Sequence, residues 1–325
     1  MSESAYPPGG RAPGQLRKVA IVPCHNEAGA IAKVVADLRA AVPDMDIYVY
    51  DNASTDGTDD VAKQAGAHVR YESLKGKGNV VRRAMADLDA DVYLLIDGDD
   101  TYDAAAAPAM IEALLNGPYD QVTGVRTQQT ESAYRAGHEL GNKAFNEVVS
   151  RIFGYPVNDM LSGYRVFTRR FVKSFPAVSK AFEIETELTV HAINARLPQL
   201  EYPVGFKDRA DGTESKLRTY HDGIRILGMI GRLVQAERPM ALNGILAAAL
   251  FVAGVGFGIP VVIDFVHTGL VPRLPTAILA SSLILLSVLA FMIGIILDGL
   301  RKVRHENIRT AYLALPVPQT KIWIP

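Results

Sequence analysis

The sequence predicts an α/β protein built on a mainly parallel sheet with flanking helices, followed by two C-terminal transmembrane α-helices. Three observations carry this expectation. Short apolar runs alternate with segments of helical period from residue 19 to residue 124, the pattern of strand–helix–strand crossovers. Polar and acidic residues gather just after those apolar runs, at the strand ends where parallel sheets bind ligands. Finally, 240–267 and 275–297 carry no charge away from their edges, and each exceeds the roughly 20 residues that cross a bilayer.

The elements follow in order. Residues 19–22 read as a strand and 28–41 as a helix closed by Pro43. A second strand at 47–50 runs into the turn-rich 51–58 and a helix ending at Ala65. A third strand spans 68–71, and a helix follows Lys75-Gly76-Lys77-Gly78 to about residue 88. The apolar run after Asp91 forms the next strand and ends at Asp97, with a helix at 108–116 and a strand at 121–124 beyond it. The second half predicts a long helix at 132–153, a turn into a strand over 159–166, a helix at 183–195 and a last strand at 200–204. Residues 209–216 form a Gly-containing basic loop. In 219–237, Ile224, Leu227, Ile230 and Leu233 recur at helical spacing with arginines between them. That pattern predicts an amphipathic helix at the membrane interface, with an ordinary surface helix as the alternative.

Composition narrows the function classes. A formal net charge of −1 over 325 residues gives no global field for nucleic acid, so no nucleic-acid partner is expected. The single cysteine, Cys24, leaves no intramolecular disulfide and fits a reducing cytosolic compartment. Residues 2–15, rich in Pro, Gly and Ser, lack the apolar core of a signal peptide and predict a disordered lead-in. Arg225, Arg232 and Arg238 precede the first span, and Arg301, Lys302 and Arg304 follow the second, while the loop between carries only Arg273. The positive-inside bias therefore predicts a multi-pass protein of the inner (plasma) membrane with both termini cytoplasmic. The expected division is a tail at 1–16, a soluble domain at 17–217, a juxtamembrane helix at 218–238, a hairpin at 239–300 and a tail at 301–325.

Chemistry concentrates in Asp97-Gly98-Asp99-Asp100. A strand end crowded with like charges is costly unless something positive sits there, and hard divalent cations such as Mg²⁺ or Mn²⁺ favour carboxylate oxygens while keeping positions open for phosphates. An acidic, solvated turn is the plain alternative. Two other strand ends are polar as well, Pro23-Cys24-His25-Asn26-Glu27 and Asp51-Asn52-Ala53-Ser54. Lys75 and Lys77 stand between glycines that let a backbone approach phosphates closely, although a solvated loop would look the same. The segment Gly76-Lys77-Gly78-Asn79-Val80-Val81 lacks the third glycine of a dinucleotide fingerprint, and no Walker loop is present, which disfavours nicotinamide enzymes and P-loop ATPases.

Taken in order, Pro23-x-His25-Asn26-Glu27, Asp51-x-x-Ser54-x-Asp56-Gly57-Thr58, Lys75-Gly76-Lys77-Gly78 and Asp97-Gly98-Asp99 resemble the inverting family 2 glycosyltransferases of GT-A, Rossmann-like fold. Asp159-Met-Leu-Ser162-Gly163-Tyr164-Arg165 and Arg209-x-x-Gly212-x-x-Ser215-Lys216 are similar to the family's polyprenyl-phosphate branch, the dolichol-phosphate mannose synthase-like enzymes. The resemblance implies that Asp97 and Asp99 hold Mg²⁺ or Mn²⁺ against the donor diphosphate. It also implies a nucleotide-sugar bordered by Pro23, Asn26, Glu27, Asp51, Ser54, Lys77 and Asp97. A polyprenyl phosphate acceptor would be held by Arg126, Arg135, Arg165, Arg209, Ser215 and Lys216, with Asp99, Asp159 and Arg165 as the catalytic set. Asp159 would orient Arg165 or act as a base, the former preferred, and Glu185 is a further candidate on the acceptor side. Asp100 is a third metal contributor or a solvated cap.

Asn52 departs from the pattern, standing where many members have a second Asp, which leaves open the group that reads the nucleobase. Members of the branch often oligomerise, so a second copy of the chain is an expected partner. Other membrane-bound family 2 transferases, a phosphatase using Asp97-Gly98-Asp99-Asp100-Thr101, and a non-catalytic nucleotide-sugar-binding subunit are the alternatives.

Overall fold

Strand β1 (Lys18–Cys24) lies inside the sheet, third of seven strands, and every residue from Val19 to Val22 is wholly buried, as suits a strand covered on both faces. The structure, a computed structural model, describes residues 16–128, 156–177, 184–207 and 237–316, with isolated positions between them. In chain order β1 is followed by α1 (Ile31–Ala41), β2 (Met45–Asp51), α2 (Thr58–Gln64), β3 (His68–Tyr71), α3 (Lys77–Asp87) and β4 (Val92–Leu95). Then come a short 3₁₀ turn (Ala104–Ala106), α4 (Ala107–Asn116), β5 (Gln121–Gln128), β6 (Arg165–Thr168), α5 (Arg169–Ser174), α6 (Ile184–Asn194) and β7 (Gln199–Phe206). Two long helices close the chain, α7 (Pro239–Thr268) and α8 (Leu274–Leu313).

The seven strands lie in the order β3-β2-β1-β4-β6-β5-β7. All run parallel except β6, which is antiparallel to both its neighbours, β4 and β5. The mainly parallel expectation holds, with β6 as the inserted exception. Side chains alternate between faces as the pleat requires. Ala20, Val22 and Cys24 of β1, with Ile47, Val49, Val92 and Leu94, pack under α1 and α4. Val19 and Ile21, with Tyr48, Tyr50, Tyr93 and Leu95, pack under α3, α5 and α6. Helices thus cover both faces, and the order reverses at β1, which has β2 on one side and β4 on the other. Ligands of such sheets bind at that switch point, beyond the strands' carboxyl ends.

Two boundaries differ from expectation for visible reasons. Helix α1 starts at Ile31 rather than residue 28 because the Glu27 carbonyl first closes a turn, accepting from the N–H groups of Ala30 and Ile31, 3.0 Å each. Strand β5 continues to Gln128 because β7 pairs with it along its full length.

The chain divides into two units, Met1–Asn146 with Tyr155–Ser215 and Ile308–Pro325, and Glu147–Gly154 with Lys216–Asn307. The first holds the sheet. In it Tyr312 donates its hydroxyl to Asp120 at 2.8 Å, and the Arg170 guanidinium lies 4.7 Å from the Tyr312 ring centroid. The second unit holds α7 and the apolar length of α8, the two described helices long and apolar enough to cross a membrane. They meet at small residues: a Cβ on Gly254 would fall 2.8 Å from Ile284 Cγ1 and 3.1 Å from the Ala280 carbonyl. Outward they present Ile245, Val252, Val262, Leu285 and Ile296, an apolar surface suited to lipid. Helix α7 begins on Pro239 and stops at Gly269, which adopts φ 67°.

Candidate active site

The first two strand ends are stitched to each other by hydrogen bonds between their loops. The Asn26 N–H donates to Ser54 Oγ at 3.0 Å, and Asn26 Oδ1 accepts from the Thr55 N–H at 2.8 Å. The Glu27 N–H reaches Thr58 Oγ1 at 2.9 Å, and the Ala28 N–H reaches Asp56 Oδ2 at 3.0 Å. Asn26, Ala53 and Asp100 all adopt positive φ, 59°, 58° and 57°. Such strained backbone gathers where a site over-determines it. Asn26 and Ser54 therefore shape the loops, while Pro23, the penultimate residue of β1, is part-buried beside them.

Asp51 ends β2 directly opposite Cys24 in the register. Its Oδ2 accepts from the Ser54 N–H at 3.2 Å, while Oδ1 is buried with no hydrogen-bond partner among the described residues. A buried acceptor left unmatched is expensive, so it marks a place where a ligand donor belongs. Asn52 is wholly occupied: Nδ2 donates to the Glu72 and Leu74 carbonyls, 2.8 Å each, and Oδ1 accepts from the Gly76 N–H at 2.7 Å. It staples the loop after β3 instead of facing a base, which accounts for an amide where the resembled family has an acid. Gly76 itself sits at φ 124°, a backbone that side chains rarely tolerate, just before α3 begins at Lys77.

The two lysines of Lys75-Gly76-Lys77-Gly78 have opposite fates. Lys75 is exposed, whereas Lys77, its side chain 9% exposed, bridges the carboxylates of Asp97 and Glu185, the latter at 2.5 Å. Burial alone would lower the Lys77 ammonium, but the two carboxylates outweigh it and hold its pKa above the ordinary value. Glu185, on the first turn of α6, is more deeply buried than Asp97. Burial raises its carboxyl, with Lys77 offsetting this only in part, and Oε2 has no hydrogen-bond partner among the described residues. Gly163 closes over the pair, since a Cβ there would clash with Asp97 Oδ2 and lie 2.8 Å from Lys77 Nζ. The Gly163 N–H in turn donates to the Tyr102 hydroxyl at 2.9 Å. Burial pushes that phenol up to about 12, with Arg126, Asp97 and Lys77 all within electrostatic reach.

Asp99 receives the Thr101 hydroxyl at 2.6 Å on Oδ1. Asp100 pairs with Lys33 at 3.1 Å and Lys207 at 2.8 Å, clasping two surface lysines. No group of three or more His, Cys, Asp or Glu side chains with metal-binding geometry occurs among the described residues. Asp97 and Asp99 supply oxygen donors only, which suits a hard cation completed by water and phosphate oxygens. Glu27, Asp51, Asp97 and Asp99 all act on the Cys24 thiol; burial first and their charge second raise its pKa well above the ordinary value. Four carboxylates are thus within electrostatic reach of the Cys24 thiol at the end of β1.

One expected pairing is replaced. Asp159 does not orient Arg165; it forks Arg126, with Nε and Nη2 at 2.7 Å each, and also accepts the Arg126 N–H at 3.2 Å. Arg165 has no exposed surface and donates to the carbonyls of Ser162 and Met160 and to Thr189 Oγ1, at 2.9, 2.7 and 2.8 Å. Burial draws its pKa down to about 10, so it stays cationic. The Arg165 guanidinium, expected to meet the acceptor phosphate, is instead engaged by the 160–165 turn and α6. Arg135, Arg209, Ser215 and Lys216, with the expected helices at 132–153 and most of 219–237, lie outside the described residues. The bridge from Lys77 to Glu185 and the part played by Tyr102 were not legible in sequence, because no local spacing connects those positions.

Comparison with known proteins agrees with this geometry. The model of "Glycosyl transferase family 2" matches residues 19–175. Glycosyltransferase AglJ of Haloferax volcanii is 32% identical over 291 residues, covering 89% of this chain and 95% of that protein. A dolichyl-phosphate hexose transferase of the same organism is 28% identical over 214 residues, covering 66% and 92%. Among solved structures, glucosyl-3-phosphoglycerate synthase from Mycobacterium tuberculosis, in complex with Mn²⁺, UDP-glucose and glycerol 3-phosphate, superposes with a TM-score of 0.52. At 21% identity over 68% of this chain and 78% of that one, this likeness shows the fold. The phosphatase alternative falls away, and the chain belongs to glycosyl transferase family 2.

Proposed function

We propose that the protein moves a hexose from a nucleoside-diphosphate sugar (UDP- or GDP-linked) onto a polyprenyl phosphate at the cytoplasmic face of the inner membrane, with inversion at the anomeric carbon. The observation that carries this reading is the convergence of Glu27, Asp51, Asp97 and Asp99 on the end of β1, with Asp51 Oδ1 buried and unmatched. The dolichyl-phosphate hexose transferase relative supports the acceptor class. The apolar helices α7 and α8 support the membrane setting, and Arg238, Arg301, Lys302 and Arg304 at their polar ends favour cytoplasmic termini.

Each part then has work to do. Asp51 reads the nucleoside, and the stitched loops carrying Pro23, Asn26, Glu27 and Ser54 frame it. Asp97 and Asp99 would hold Mg²⁺ or Mn²⁺, which when bound neutralises charge on the departing diphosphate. A phosphate monoester already carries about −1.5 to −2 charges near neutral pH, so it is a nucleophile without a strong base. Its oxygen bonds to the anomeric carbon as the bond from that carbon to the donor diphosphate breaks. Arg126, aimed by Asp159, is proposed to hold the acceptor in line, together with Arg135, Arg209, Ser215 and Lys216.

Purified protein in vesicles containing undecaprenyl phosphate, given radiolabelled UDP- or GDP-hexose and Mn²⁺, is expected to form a lipid-linked sugar. EDTA and Asp99→Ala should each abolish it. Undiminished product from Asp99→Ala would refute the assigned site.

A further inference from the structure

Lys77 presents a problem that the proposed chemistry does not solve. Its ammonium already pairs with one oxygen of Asp97, a residue assigned to the cation, and a positive charge held on that carboxylate weakens its attraction for a divalent ion. The structure also contains the answer, because Glu185 faces Lys77 from the opposite side at 2.5 Å and is buried. Its second oxygen, Oε2, is buried with no hydrogen-bond partner among the described residues. One ammonium lies between two carboxylates, and the more buried of them has acceptor capacity to spare. Gly163 packs directly against the pair, since a Cβ there would fall 2.8 Å from Lys77 Nζ and 2.9 Å from Asp97 Cγ.

We infer that Lys77 is a built-in counter-ion for the carboxylates of the donor site, and that Glu185 is the positioning residue that draws Lys77 off Asp97 when the donor and its cation bind. Without donor, Lys77 neutralises Asp97 and keeps the carboxylate cluster from repelling itself. With donor, Lys77 rests wholly on Glu185, using the unmatched Oε2, and Asp97 is released. Glu185 therefore acts through Lys77 and does not itself ligate the cation. This rests on the metal role proposed above for Asp97 and Asp99, and it makes cation binding weak until the diphosphate joins in.

The test is Mn²⁺ binding to the detergent-solubilised full chain without nucleotide, read by electron paramagnetic resonance, with thermal unfolding confirming that each variant is folded. Wild type must bind Mn²⁺, and Asp99→Ala must abolish that binding; failure here sinks the metal assignment itself. Given wild-type binding, Lys77→Met should bind Mn²⁺ about tenfold more tightly and Glu185→Gln about tenfold more weakly, since a charge at ion-pair distance is worth at least that factor. The deciding measurement is the double variant. If Glu185 acts through Lys77, Glu185→Gln adds less than about twofold in the Lys77→Met background, the non-additivity expected of coupled sites. An equal loss in both backgrounds would mean that Glu185 binds the ion directly, and unchanged affinity in Lys77→Met would mean that Lys77 never competes; either result overturns the inference. Should Lys77→Met fail to fold, Lys77→Gln replaces it in the same cycle.

Discussion

Arg126 and Asp159 face each other as a two-pronged ion pair, both prongs 2.7 Å long, with the carboxylate 5% exposed and the guanidinium 19% exposed. A fork of that geometry fixes the guanidinium plane as well as its position. It also explains why a residue on β5 acquired the partner that sequence proximity would have given to Arg165.

Asp159→Asn should therefore misdirect Arg126 without touching the donor pocket. We expect the KM for polyprenyl phosphate to rise about tenfold, with nucleotide-induced thermal stabilisation unchanged. The loss of one buried partner should cost about 1–3 kcal/mol, reduced from the fully buried case by the solvent around Arg126. Steady-state kinetics and a thermal-shift titration with UDP and GDP check the two halves separately.

Asn52→Asp restores the acid that the resembled family carries, yet it should do harm. A carboxylate has no proton for the Glu72 and Leu74 carbonyls, and it places charge beside Glu72. One buried and one part-buried acceptor would lose their donor, at about 1–3 kcal/mol in total. Apparent Tm and nucleotide affinity should both fall as the loop before α3 loosens, although the Gly76 N–H keeps an oxygen to donate to. Unaltered Tm and affinity would show that the two Nδ2 bonds are dispensable.

Asp100 makes the opposite prediction. Its partners Lys33 and Lys207 are 55% and 41% exposed, so each pair is worth little. Asp100→Asn keeps a residue that tolerates positive φ and should leave turnover within about twofold of wild type. A loss comparable to that of Asp99→Ala would return Asp100 to the metal site.

His191 sets an acid limit on stability. Burial lowers its pKa from 6.5 to about 4. The unfolded chain therefore takes up a proton near pH 6.5 that the folded chain refuses until about pH 4, and stability present above pH 6.5 drains away across that window. At about 1.4 kcal/mol per unit the loss reaches about 3 kcal/mol. Apparent Tm measured from pH 7 to pH 4 should fall less steeply in His191→Gln than in wild type, and parallel curves would exclude His191 as the cause.

What could be read from the sequence was what is local. The runs at β1 and β4 are apolar on both faces, and the acidic turn after β4 stands out without knowledge of its neighbours. The insertion of β6 between β4 and β5 left no trace, because antiparallel pairing across the sheet has no short-range signature. Lys75 and Lys77 are equivalent in sequence, and only the entry of the chain into α3 decides which one is buried. Helix α8 continues past the apolar run that ends near residue 297 to Leu313. Asp298, Arg301 and Lys302 carry it onward through i,i+3 and i,i+4 ion pairs, so hydropathy stopped where the helix did not.

The contact between Tyr312 and Asp120 bears on how this enzyme can be taken apart. The sheet-bearing unit is discontinuous: it regains residues from Ile308 onward after the chain has left it for the apolar hairpin. Asp120, wholly buried, counts the Tyr312 hydroxyl among its donors together with Arg170 and Thr168. Cutting the chain before the hairpin to obtain a soluble enzyme would thus remove a piece of the soluble enzyme itself, exposing the Arg170 and Asp120 surface that the tail covers. A water-soluble version is better made by excising the hairpin and splicing the tail back on, so that what seems to be an appendage behind the membrane anchor is kept as part of the catalytic body.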